Sequence, residues 1–594
     1  MPKPTTTFGR FLVWRLKHIR NTEFIYILSV IIGLLTGLVA VTLKNVTHFM
    51  QHAIRNGYIA EFTHYFYFVV PIIGLFLTYL AIKFIVRHDV SHGIPTTLFA
   101  ISKREGIIKS FQIWGSVLAS SLTVSFGGSV GLEGPTVSTG AAIGSNLARA
   151  FHLSSKTRVI LLSAAAAGAM SAIFKVPIAS IIFVVEVFSL DLTLTSLVPL
   201  LLASVSAVLT SYFLIGDAYI LEFTLKDKFA LVDTPWIIFL GILGGAVSIY
   251  FSQVYFKIGE LFDTIENQWK RVFIGGTLLG VLIFIIPPLY GEGFEVINSL
   301  LLGTTPENLL HSRLESFMPT DWAIITLLVG LMLFKIVAAA LTFGGKGVGG
   351  VFVPVLFMGS ILGNVTAKII NLSGISHHVS ETNFTLMGMS AILAGVLHAP
   401  LTAVFLIAEL TGGYQLFIPL ILVSAISYAI TKMVVTHSVY HHELAKKGHL
   451  LTHNKDHAVL TLMSLDRVVE TNFTAIHPEM SMGNLVQDVI RHSKRNIFPV
   501  IDNESNLIGI LYIDDIRSIM FDSNIYETTF VRTFMKTPEE IIFLDKDSMR
   551  TVMKKFSNSG MWNIPVVENG NYKGFVSRSK VLTVYRRKLR EFAS

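Results

Sequence analysis

Long apolar runs separated by short polar turns occupy the chain from residue 24 to residue 435. The run Phe24–Leu43 has about the length that crosses a bilayer's hydrocarbon core. Further runs lie near residues 66–86, 110–124, 159–189, 196–215, 235–256, 273–288, 322–341, 351–371, 384–410 and 416–435. Several do not read as simple spans. Residues 110–144 and 340–363 are interrupted by glycine and proline, and 159–189 is too long for one upright helix without a break at Pro177. Non-helical backbone at membrane depth persists only where protein or a water-filled cavity satisfies its polar groups, so broken spans point to a transport site.

The rhythm changes beyond residue 467. RNIFPVIDNESNLIGILYIDDI from Arg495 and WNIPVVENGNYKGFVSRSKV from Trp562 each hold two short β-rich runs around a polar turn, then a helix start. An amphipathic stretch precedes each, Met482–His492 and Ser548–Ser557.

Composition sharpens this division. Charged residues make up 14% of the 594 residues, and 39 of the 86 fall in residues 441–594. With 52% hydrophobic residues, a wholly soluble protein is excluded. The net charge of +8 reflects basic residues at span edges, such as Arg10, Arg15, Lys17 and Arg20, rather than a nucleic-acid-binding patch. That bias predicts a cytoplasmic N-terminus. Met1–Arg20 has no continuous apolar core, so no cleavable signal is expected. Without cysteine there is no disulfide, thiol nucleophile or Cys-ligated metal.

The interrupted regions repeat. FGGSVGLEGPTVSTGAAIGSN (Phe126–Asn146) parallels FGGKGVGGVFVPVLFMGSILGN (Phe343–Asn364). Pro135 and Pro354, Gly140 and Gly359, and Gly144 and Gly363 all lie 219 positions apart. KVPIASIIFVVE (Lys175–Glu186) parallels HAPLTAVFLIAE (His398–Glu409), each with nine positions from Pro to Glu. Broken helices at matching places in two halves point to a binding site between them.

SHGIP (Ser91–Pro95), GLEGP (Gly131–Pro135) and GGVFVP (Gly349–Pro354) each join glycine to a proline suited to a helix's first turn. Helix N-termini present free N–H groups and positive dipole ends, so three aimed at one point form an anion site. Glu133 is the single acid in these motifs.

In order and spacing, these motifs and GEGF (Gly291–Phe294) resemble the anion-pathway motifs of the CLC family of chloride channels and proton/chloride exchangers. The tail resembles a tandem CBS pair. The resemblance implies an all-α polytopic membrane domain with an inverted repeat and broken helices, plus a cytoplasmic α/β CBS pair. It divides the chain into an N-terminal segment (1–22), a transmembrane anion-transport domain (23–443), a linker (444–466) and CBS copies near 467–522 and 528–594. It further implies a multi-pass protein of the cell membrane with both termini cytoplasmic, and a homodimer.

Carried over residue by residue, Glu133 matches the gating glutamate. His92, Gly93, Ile94, Gly131, Gly134, Val351 and Phe352 fall on the anion pathway, and Tyr440 matches a tyrosine whose hydroxyl donates to the anion. There are departures. His92 replaces the usual serine, which predicts a pH-sensitive inner gate unless the ring turns aside and only packs. Leu132 stands where an arginine usually precedes the gating acid. Val187 stands where exchangers commonly carry an inner proton glutamate, with Glu186 or water as a substitute.

On this basis the sequence predicts a passive chloride channel gated by Glu133 and by pH. The alternative is a proton-coupled antiporter of chloride or another anion. A CBS-containing intramembrane enzyme is a weaker third reading: H-E-x-x-H is absent, the nearest run His442–Lys446 ending in lysine, and no Walker loop occurs. No enzyme activity, metal site or required cofactor is expected. In the CBS copies, the ribose-contacting pattern is half complete in each, keeping Asp515 but with Tyr512 in one, and Ser577 but with Lys580 in the other. An adenine nucleotide is therefore a doubtful ligand.

Overall fold

The computed structural model describes residues 7–56, 63–90, 93–216, 221, 229–304, 321–374, 377–446, 460 and 463–593. The chain forms two compact units, Met1–Lys446 and Lys447–Ser594.

Among the described residues of the first unit, nine helices are long and apolar enough to cross a membrane. The first half holds α1 (Thr7–His18), α2 (Asn21–Asn56), α3 (Thr63–Leu80), α4 (Ile94–Lys103), α5 (Phe111–Ser125), α6 (Glu133–Ala150), α7 (Ser155–Phe174), α8 (Pro177–Phe188) and α9 (Leu194–Ile215). The second holds α10 (Thr234–Asp263), α11 (Gln268–Ile285), α12 (Phe294–Leu302), α13 (Asp321–Gly344), α14 (Phe352–Ser373), α15 (Glu381–Leu397), α16 (Pro400–Leu410), α17 (Phe417–Val434) and the short α18 (His442–Lys446).

The long apolar run 159–189 breaks where its sequence says it must. Lys175 ends α7 at φ +60°, and Pro177 starts α8 where its missing N–H costs nothing. His398, at φ +55°, and Pro400 break the second copy at the matching place.

Glycine sets the helix spacing. Gly140 and Gly144 of α6 lie against the Ala165 and Leu161 carbonyls of α7; Gly359 and Gly363 of α14 lie against Gly388 and the Phe384 carbonyl of α15. A Cβ at any of these positions would meet backbone, so small residues let the helices approach closely. The two layers are copies of one packing unit, with the glycines at equivalent repeat positions. The antiparallel bridge between Gly131 and Gly350 joins equivalent segments running in opposite directions, as a two-fold axis between them requires.

The second unit carries a four-stranded sheet in the order β1 (Val469–Glu470), β6 (Asn571–Ser577), β5 (Asn563–Glu568), β4 (Ile542–Phe543), and a hairpin of β2 (Ile497–Ile501) and β3 (Leu507–Tyr512). Each copy packs an amphipathic helical stretch on its strands. Met482, Leu485 and Val489 cover Phe498, Val500 and Leu511; Met549, Val552 and Phe556 cover Ile564, Val566 and Val576. Ile497 and Ile510 of the first copy join Phe473 and Phe575 in a shared apolar cluster. Burying that common surface couples the stability of the two copies.

Candidate functional site

The N-termini of α4, α6 and α14 converge. Gly93 sits at φ +79°, a conformation side chains rarely adopt, and a Cβ there would lie 2.5 Å from the Gly134 carbonyl. Gly134 in turn packs against Gly350. The bridge is tight: Gly131 N–H donates to Gly350 O at 2.9 Å, and Gly350 N–H to Gly131 O at 2.7 Å. A Cβ on either glycine would overlap the Glu133 carboxylate, so the acid fits only because both lack side chains.

Glu133 opens α6 and is buried. Its Oε1 accepts from the Phe352 amide, the first residue of α14, at 2.7 Å. The Glu133 and Val353 amides also point at this carboxylate. Its Oε2 has no hydrogen-bond partner among the described residues. A negative group thus sits where two helix N-termini meet, the place physics assigns to an anion.

Of the residues expected on the pathway, Gly93, Ile94, Gly131, Glu133, Gly134, Val351, Phe352 and Tyr440 are all buried. The Tyr440 phenol lies close enough to Glu133 for the two to interact electrostatically, and its hydroxyl has no partner among the described residues. His92 lies outside the described residues. Val187 is buried one position beyond Glu186.

Glu186 has a definite task. Its carboxylate accepts from Leu401 N (3.0 Å), Thr402 N (2.7 Å) and Thr402 Oγ1 (2.6 Å), satisfying the free amides that open α16. Glu409 does the same for α8, accepting from Ile178 N (3.0 Å) and Ala179 N (2.7 Å). The two caps are reciprocal across the repeat.

The sequence reading missed the groups around the GEGF motif. Glu292 Oε1 accepts from Leu132 N at 3.1 Å. Lys335 is fully buried, donates from Nζ to Gly291 O at 2.9 Å, and lies 4.7 Å from the centre of the Phe357 ring. Where Leu132 leaves no cation before the acid, Lys335 brings one in from α13. A lone lysine inside the apolar run 322–341 was the available signal. A cavity of about 510 Å³, lined by Lys44, His48, Glu292, Phe174 and Val353 among others, leads to Glu133.

In the second unit, the half-motifs stay incomplete. Asp515 Oδ1 accepts from Lys536 Nζ at 2.6 Å, and Ser577 Oγ donates to Glu470 Oε1 at 3.1 Å and accepts from Lys580 N at 3.2 Å. These residues do not assemble a ribose site. Among the described residues, no cluster of His, Asp and Glu suited to a metal occurs.

Residues 73–432 match the voltage gated chloride channel family, and residues 465–522 and 531–587 match the CBS domain. The chain is 28% identical over 385 residues to a putative chloride channel protein ClcB-like of Ralstonia nicotianae, covering 64% of this chain and 85% of that one. It is 27% identical over 444 residues to the H(+)/Cl(-) exchange transporter ClcA of Salmonella arizonae, covering 70% and 86%. In fold it is similar to a slow cyanobacterial Cl-/H+ antiporter (TM-score 0.60, 21% identity, 71% of this chain and 97% of that one). It is also similar to a eukaryotic CLC transporter (TM-score 0.59, 17% identity, 94% and 97%).

Proposed function

Because the chain belongs to the voltage gated chloride channel family and carries two CBS domains, we propose that it is a proton-coupled chloride antiporter of the cell membrane. This takes the alternative over the passive channel that Val187 favoured. The naming of similar proteins as H(+)/Cl(-) exchange transporter and Cl-/H+ antiporter supports it.

The observation that carries the reading is the Glu133 carboxylate on the Phe352 amide. Ionised, the side chain competes with chloride for the N–H groups at the α6 and α14 N-termini. Protonated, it loses its charge and its hold on those amides, and the anion takes its place. Proton and chloride therefore use one site in exclusive turns, which is the physical basis of exchange. Val351 and Phe352 at the start of α14, Gly93 and Ile94 at the start of α4, and the Tyr440 hydroxyl complete the anion's surroundings. Gly131 and Gly134 keep the backbone close enough for this.

The proposal extends to a homodimer with both termini cytoplasmic. It assigns no chemical reaction to the chain and routes no step through a nucleotide.

Reconstitution into liposomes under a chloride gradient tests it. Exchange predicts proton movement against the proton gradient, driven by chloride. Chloride flux with no proton movement returns the protein to the channel reading.

A further inference from the structure

An exchanger must pass protons between Glu133 and the far side of the site, and the 510 Å³ cavity approaches Glu133 without touching Tyr440 or His441. The segment Thr436–His441 forms the other side. Its Tyr440 phenol faces Glu133, and its Ser438 hydroxyl is buried and lies 2.9 Å from His441 Nδ1. The His441 ring also hydrogen-bonds the backbone of Val187, the position left without an acid. Glu186, one residue before, has both carboxylate oxygens on the α16 N-terminus. The ionisable group that reaches Val187 is thus an imidazole arriving from a different element.

We propose that His441 is the inner proton-transfer group of this protein, a role that rests on the antiporter reading above. With one ring nitrogen donating to the Val187 carbonyl, Nδ1 is left to accept from the Ser438 hydroxyl. A proton arriving from the inner solution binds Nδ1 and the hydroxyl rotates. The proton then leaves toward the Glu133 carboxylate, restoring neutral imidazole, so that no proton or charge is left over. Imidazole is the side chain whose ordinary titration range suits such a shuttle near neutral pH.

The groups facing His441 fit a port. His437 and Lys432 come from the end of α17 and the loop after it, and His398 from the break between α15 and α16. Lys432 Nζ turns to the Thr436 carbonyl at 2.5 Å and to His398 Nδ1 at 3.5 Å, away from a direct bond to His441. His437 is partly exposed and offers the first contact with solvent.

The test measures chloride and proton flux together in liposomes bearing the full-length protein, its H441Q and S438A variants, and the double variant V187E/H441Q. H441Q is expected to retain chloride flux while its proton-to-chloride ratio falls about tenfold or more. S438A is expected to lower the ratio and shift its pH midpoint, and the V187E/H441Q protein to regain proton movement. A conducting H441Q protein with the wild-type ratio overturns the proposal. If H441Q carries no chloride, the S438A ratio decides, and a wild-type value there overturns it equally. Wild-type protein that moves no protons defeats the antiporter reading instead, a result separable from either.

Discussion

Glu133 accepts its hydrogen bond from the amide of Phe352, the residue 219 positions away that occupies its own place in the second repeat. The first residue of α6 thus bonds to the first residue of α14, across the antiparallel contact of Gly131 and Gly350. The repeat is symmetric in backbone and asymmetric in side chain. One copy supplies the acid, and the other supplies the bare N–H that holds it. Had both copies carried an acid, two carboxylates would repel at one point. With an acid in neither, no group would link anion release to proton uptake.

Removing the charge from this pair should therefore separate the two fluxes. Glu133→Gln is nearly isosteric and carries no proton that can be lost near neutral pH. Acidification should raise chloride flux in the wild type, since protonation frees the amide, and this dependence should flatten in the variant. Proton movement should fall at least about tenfold while chloride flux persists. Simultaneous chloride and pH electrodes on liposomes read both quantities. Retained coupling in the variant would remove Glu133 from the mechanism.

The repeat, the helix breaks and the likeness to one family were readable because they rest on glycine and proline at fixed spacings, where backbone geometry admits few other residues. The contacts were not. The nine-residue Pro-to-Glu spacing marks Glu186 and Glu409, yet each caps the other's helix, a partnership made by the two-fold relation rather than by neighbours in sequence. Lys335 stood out as a charge in an apolar run, but its seat beneath Gly291 depends on how α13 meets the GEGF loop. His441 gave no sign of reaching Val187, from which it is separated by most of the second repeat.

Helix spacing gives a stability prediction. A Cβ at Gly363 would overlap the Phe384 carbonyl, and one at Gly144 would lie 2.5 Å from the Leu161 carbonyl. Backbone in a packed helix cannot move aside as a flexible side chain can. Gly363→Ala and Gly144→Ala should each cost about 1–3 kcal/mol through overpacking. Thermal unfolding in detergent should show lowered midpoints for both. Gly330→Ala, where a Cβ meets nothing within 4 Å, should leave the midpoint unchanged.

The reciprocal caps make a prediction that separates structure from transport. Glu409→Ala strips acceptors from the Ile178 and Ala179 amides and should destabilise the protein by about 1–2 kcal/mol. Glu186→Gln keeps an acceptor toward Leu401 and Thr402, so a smaller loss is expected. Because Glu186 is engaged as a cap, this variant should couple protons to chloride with the wild-type ratio. A collapse of that ratio in Glu186→Gln, with stability preserved, would assign the proton route to Glu186 rather than to His441.

The CBS pair should be indifferent to adenine nucleotides. A ribose needs a free hydroxyl residue and a free acid in one motif. Here Asp515 is held by Lys536, its partner position is Tyr512, Ser577 is bonded to Glu470, and its partner position is Lys580. Arg495 further closes the second site by joining Glu470 at 2.8 Å and Asn472 at 2.6 Å while stacking over Phe473. A ligand present at a hundred times its dissociation constant would stabilise the folded unit by about 2.7 kcal/mol, which a thermal scan resolves. Millimolar ATP, ADP or AMP added to the full-length protein should therefore leave its unfolding midpoints where they were. Arg495→Ala should lower the midpoint of the CBS unit without creating nucleotide dependence, because it opens the contact but restores neither missing group. A nucleotide-dependent rise in the wild type would mean that Lys536 or Glu470 yields its partner to the ligand, and the two half-motifs would then act as one site.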